Sequence, residues 1–88
     1  MVKLKAGYTV YILRTSLDTL YIGQTNNLEK RLKEHRSKTR KSSKYMRSFE
    51  GFKLVYSEEY ATRSEAMRRE YQLKILTKGK KEDLISRE

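Results

Sequence analysis

The alternation of apolar and polar positions divides the chain into six segments. Residues 8–13 (Tyr-Thr-Val-Tyr-Ile-Leu) are β-branched and aromatic, as a pleated, half-buried surface prefers, and residues 20–23 repeat that character after the polar break Thr15-Ser16-Leu17-Asp18-Thr19. Strands at about 7–14 and 19–24 joined as a hairpin are the simplest account. Asn26 then offers an N-cap with Glu29 three residues on, so a helix from about 27 to 37 is expected, with Leu28, Leu32, Arg31 and His35 on one side. Residues 1–6 read as a loosely held lead-in, and the hydrophilic run Ser37 to Ser43 as a mobile connection.

Lys44 to Phe49 brings apolar side chains back as a short helix or turn, and Gly51 breaks it. Residues 52–57 (Phe-Lys-Leu-Val-Tyr-Ser) read as a third strand with room to run on to Tyr60. Thr62-Arg63-Ser64-Glu65 is a capping box that opens a helix from about 63 to 76. After Lys78-Gly79-Lys80 a short terminal helix over Glu82–Ser86 would dock through Leu84 and Ile85. The order β-β-α-β-α-α implies an α/β (α+β) fold: a small, three-stranded, mainly antiparallel sheet with helices packed on it. All 88 residues fit one domain with a core at about 7–77.

Composition narrows the function. Twenty-one Lys+Arg against eleven Asp+Glu leave a formal charge of +10, which draws the chain to polyanions. The excess concentrates in Arg36, Lys38, Arg40, Lys41, Lys44 and Arg47, a stretch with no acid, with Tyr45 among them. These seven residues are the expected nucleic-acid contact, the alternative being a solvated loop whose charge serves solubility. No Cys means no disulfide, no thiolate metal site and no thiol catalysis. No stretch of 18 apolar residues occurs, so a soluble, cytoplasmic protein with no membrane association is expected.

One spacing stands out. Tyr11, Tyr21 and Arg31 fall ten residues apart on strand, strand and helix, and His35 lies one turn beyond Arg31. On the later helix, Ala66, Met67, Glu70, Leu73 and Lys74 share a side, so the acid Glu70 interrupts an apolar stripe. A carboxylate so placed needs a cationic partner or a metal.

These residues resemble the GIY-YIG nuclease domain, whose two short strands carry those tripeptides and whose helix carries an arginine. Here the first tripeptide is the degenerate Thr9-Val10-Tyr11, and the second, Tyr21-Ile22-Gly23, is intact. The likeness covers nearly the whole chain and is strongest to the small stand-alone bacterial members, in which Lys44-Tyr45-x-Arg47 recurs. It implies a divalent-metal-dependent endonuclease acting on DNA ahead of RNA, with a place in DNA repair or recombination. By the resemblance, Glu70 holds Mg²⁺ (or Mn²⁺), Arg31 holds the phosphate, Tyr11 or His35 is the general base, and Tyr21 positions water or phosphate.

Two departures qualify the match. Gln24 stands where some repair members have a lysine, and no Asn follows Glu70 as in the homing members. They leave room for a protein partner that supplies activity or targeting. The competing expectation is a non-catalytic nucleic-acid-binding module, or a basic subunit of a larger nucleoprotein assembly, including one built on RNA.

Overall fold

The computed structural model describes residues 7–37 and 51–87. The lead-in, most of the basic connection and the segment Lys44–Phe49 fall outside the described residues.

Strand β1 (Tyr8–Thr15) lies at the centre of an antiparallel sheet, between β2 (Leu20–Thr25) and β3 (Phe52–Tyr60). Helices α1 (Leu28–Ser37), α2 (Arg63–Lys74) and α3 (Lys78–Ser86) complete the described elements. Among the described residues the elements follow the expected order β-β-α-β-α-α around an antiparallel three-stranded sheet.

Because β1 is flanked on both sides and covered on both faces, Val10, Tyr11, Ile12 and Leu13 are all buried. Alternation along the strand divides them. Val10 and Ile12 join Ile22, Tyr56, Ala66 and Leu73 in a core beneath α2, with Leu84 and Ile85 of α3 against its margin. Tyr11 and Leu13 form a second core, against which Tyr21, Leu28, Leu32 and Phe52 pack.

A β-bulge in β3 makes that second grouping possible. Ile12 pairs with Tyr56 but Leu13 pairs with Leu54, so Val55 is the extra residue and the alternation of β3 inverts there. Without it, Phe52 would share a face with Tyr56. The hairpin turn has an equally local cause: Asp18 adopts φ 63°, a left-handed conformation that Asp tolerates, and its N–H donates to the Thr15 carbonyl at 2.9 Å.

Two boundaries and one helix face differ from expectation. The cap of α1 is Asn27, not Asn26: the Thr25 hydroxyl takes the Asn27 N–H at 3.1 Å, and Asn27 Oδ1 takes the Lys30 N–H at 3.1 Å. With the cap moved by one, Lys30 replaces Glu29 at the third helical position and no capping box forms. The terminal helix starts at Lys78 and runs through Gly79, because Thr77 caps it by accepting from the Lys80 N–H. A glycine in a first turn held by a cap costs little enough for the helix to continue. Met67 is 48% exposed, so the side of α2 turned to the sheet is set by Ala66 and Leu73, and Glu70 flanks it. The Thr62/Glu65 capping box of α2 forms in both directions, as expected.

Candidate functional site

The ten-residue spacing resolves into a cluster on the face of the sheet covered by α1. Tyr21 is not directly opposite Tyr11: its register partner is Leu13, and Gly23 is the residue opposite Tyr11. The two tyrosines are therefore diagonal neighbours, with ring centroids 6.4 Å apart.

Gly23 is needed there. A Cβ at that position would sit 2.7 Å from the Tyr11 hydroxyl oxygen and 2.9 Å from Cζ. The room it leaves is filled by the Tyr11 ring itself rather than by a ligand or another backbone. From α1, His35 reaches the same point: its Nε2 lies 3.3 Å from the Tyr11 hydroxyl, and its ring stands edge-on to Tyr21 at 5.5 Å.

Phe52, a residue that sequence reasoning did not single out, closes the other side of His35 at 6.0 Å and 83°. Arg36 stacks its guanidinium over Phe52 at 5.5 Å, so this member of the expected nucleic-acid contact also packs on the site's wall. Lys38, Arg40, Lys41, Lys44, Tyr45 and Arg47 lie outside the described residues.

Burial sets the protonation of the cluster. His35 is 1% exposed; burial first, and then the neighbouring Arg31 charge, push its pKa down to about 4, so the imidazole is neutral at pH 7. Tyr11, also 1% exposed, is pushed up to about 12 by burial and by Tyr21, while Arg31 acts in the opposite sense by hydrogen bonding and charge. For Arg31 burial works against its charge, but Glu34 at 2.9 Å and the Tyr11 phenol outweigh it and keep the guanidinium firmly protonated. Arg31 thus bridges an acid on its own helix and the phenol on β1.

Glu70 approaches from α2 around the exposed edge of β2. It lines a shallow depression with Tyr21, Leu20, Ile22, Lys74 and Lys81, and its charge is felt at Tyr11. Its partner is Lys74, one turn on, with Nζ 2.8 Å from Oε2; the alternative partner, Arg31, pairs with Glu34 instead. Gln24 pairs with Val10, so it projects from the face of β2 opposite Tyr21, and its buried Oε1 has no hydrogen-bond partner among the described residues.

Among the described residues no group of three or more His, Cys, Asp or Glu converges. A metal at Glu70 would have one carboxylate as its protein ligand. That donor set suits Mg²⁺, which keeps several waters and takes one or two carboxylates together with substrate phosphate.

The GIY-YIG catalytic domain model matches residues 7–83, and the chain belongs to that nuclease family, whose members act on nucleic acid. Among its relatives, the UPF0213 protein CPE1444 of Clostridium perfringens is 47% identical over 77 residues, 88% of this chain and 81% of the relative. The UPF0213 protein NP_0776A of Natronomonas pharaonis is 39% identical across 94% and 95% of the two chains. The solution NMR structure of the UPF0213 protein BH0048 from Bacillus halodurans shares the fold with a TM-score of 0.59, at 39% identity, covering 91% of this chain and 83% of that one.

Proposed function

We propose that this chain is a divalent-metal-dependent endonuclease that hydrolyses DNA phosphodiester bonds at the Tyr11, Tyr21, Arg31, His35 and Glu70 cluster, in DNA repair or recombination. The observation that carries the reading is the meeting of Tyr11, a neutral His35 and Arg31 within hydrogen-bonding and charge range, with Glu70 across Tyr21.

In this reading Tyr11 is the group that takes the proton from water. Its oxygen lies 3.3 Å from His35 Nε2. Tyr11 acts in its phenolate form: water gives its proton to that oxygen as it attacks the phosphate, Tyr11 becomes the phenol, and His35 stays neutral throughout. The phenolate is favoured by Arg31, which already opposes the upward push of burial. Arg31 also presents a fork of donors to the phosphate, and Tyr21 orients it from the edge of β2. A divalent ion, when held by Glu70, supplies electrostatic stabilisation of the phosphate and of the leaving oxygen.

A binding-only module is the second reading, and the deep burial of Tyr11 with its raised pKa favours it. The two separate in one experiment: labelled duplex, single-stranded and branched DNA with Mg²⁺, Mn²⁺ or EDTA, beside Arg31→Ala and Glu70→Ala. The endonuclease reading expects metal-dependent products that fall by at least about 100-fold in both variants, as loss of a group acting on the transition state does. Salt-sensitive binding with no product, or cleavage that survives both changes, overturns it.

A further inference from the structure

Lys74 and Lys81 take no part in the mechanism above, yet both line the depression that holds Glu70. They come from different helices, α2 and α3. The Glu70 side chain is 21% exposed, too desolvated to stand alone at low cost, and Lys74 satisfies it at 2.8 Å in the favourable order of acid before base at i,i+4. The Lys74 side chain, by contrast, is 55% exposed. Its hold on the carboxylate is correspondingly weak, worth no more than about fivefold in an equilibrium constant.

We propose that Lys74 is a stand-in cation on Glu70 that a divalent ion displaces, and that the released Lys74 and its neighbour Lys81 then grip a backbone phosphate of the nucleic acid at the β2 edge. The proposal rests on the reading of Glu70 as the metal's protein ligand.

Charge explains the coupling. With Lys74 on Glu70, the two lysines and the acid carry one net positive charge, and one ammonium is engaged inside the protein. A dication on Glu70 adds two positive charges and frees that ammonium. Lysine suits the second task, because its charge is compact, strongly hydrated and carried on a rotatable four-carbon stem. Metal and phosphate would therefore enter together, and the metal-free protein would keep its acid neutralised.

The test begins with Mn²⁺ alone, titrated into the full chain without nucleic acid and followed by electron paramagnetic resonance. Lys74→Gln should bind Mn²⁺ about three- to tenfold more tightly than the unaltered chain, since it removes both a competitor and a like charge. Lys74→Arg, which keeps the charge, should stay near the unaltered value, and Glu70→Gln should weaken binding. In a Tyr11→Phe background that leaves the duplex intact, Lys74→Gln should lower the slope of log affinity against log salt by about 0.9 in Mn²⁺ and leave it unchanged in EDTA, the signature of one phosphate contact made only with metal.

Unchanged or weaker Mn²⁺ binding in Lys74→Gln overturns the proposal, as does no Mn²⁺ binding in any form or an identical salt slope. Tighter Mn²⁺ binding with no cleavage of any DNA would instead sink the endonuclease reading and leave the stand-in role intact.

Discussion

The two faces of one strand are built on opposite terms. Beneath α2, β1 offers Val10 and Ile12 to Ile22, Ala66 and Leu73, side chains with nothing to hydrogen-bond. At its margin Glu58 accepts from the Tyr56 and Tyr60 hydroxyls and from both Nε and Nη2 of Arg69, which clamps α2 to β3. Beneath α1, the same strand offers Tyr11 to Tyr21 and His35, three rings with centroids 5.5–6.4 Å apart, with the Tyr11 hydroxyl at the long distance of 3.3 Å from His35 Nε2. The first face stabilises the fold; the second uses that stability to hold a phenol and an imidazole in unfavourable surroundings. The hydrogen bonds that β1 makes on both edges hold its backbone in place, so the α2 face supports the strand while side chains on the α1 face can shift on their own.

The strongest way to break this contrast is Leu73→Ala. Its side chain is fully buried, so truncation should cost about 2–5 kcal/mol in urea denaturation, while the Tyr11–His35 contact persists in whatever fraction remains folded. A cost below about 1 kcal/mol would mean that the α2 face is not the principal core.

Acid should act through the other face. The folded pKa of His35, about 4, lies below the ordinary 6.5, so between those values the unfolded chain binds a proton that the folded chain refuses. Stability is therefore fully present above pH 6.5 and is lost as pH falls towards 4, by on the order of 3 kcal/mol. The difference in urea midpoints between the unaltered chain and His35→Gln, measured from pH 7 to pH 4, isolates that term from the carboxylates. Because His35 is the sole histidine, its NMR titration reads the same quantity directly; a midpoint near 6.5 would contradict it.

Gly23→Ala sharpens the comparison most narrowly. The added methyl meets Tyr11 closer than 3 Å, and the ring cannot withdraw because His35 and Tyr21 surround it. A stability loss of about 1–3 kcal/mol is expected, with the displacement seen in the NMR signals of His35 and not in those of the Ala66 and Leu73 methyls. Equal perturbation of both faces would mean that they are mechanically one.

Much of this was legible beforehand because it depended on local chemistry. The β-branched runs, the Thr62/Glu65 box and the spacing of Tyr11, Tyr21, Arg31 and His35 each express a period or a cap that neighbouring residues determine. Register was not of that kind: that Leu13, not Tyr11, faces Tyr21 depends on how many residues the turn around Asp18 consumes. Phe52 escaped notice because the bulge at Val55 inverts its face, and strict alternation would have sent it to the other core. Lys74 was visible one turn after Glu70, but sequence could not say whether that acid would turn to Arg31 or to its own helix. The choice of Asn27 over Asn26 as cap has a similar origin, since two adjacent amides are equally good caps until the Thr25 hydroxyl engages one N–H.

The position of β1 between β2 and β3 has a consequence for how the molecule is made. β1 and β2 can pair as soon as the hairpin exists, but Phe52 and Glu70 arrive 30 to 50 residues later, and Arg14 on β1 is finally held by Glu82 of α3, 68 residues away. Such distant closures are entropically slow. A chain still leaving the ribosome thus carries Tyr11, Tyr21 and His35 without the wall or the acid that complete their surroundings, so the cluster is completed late.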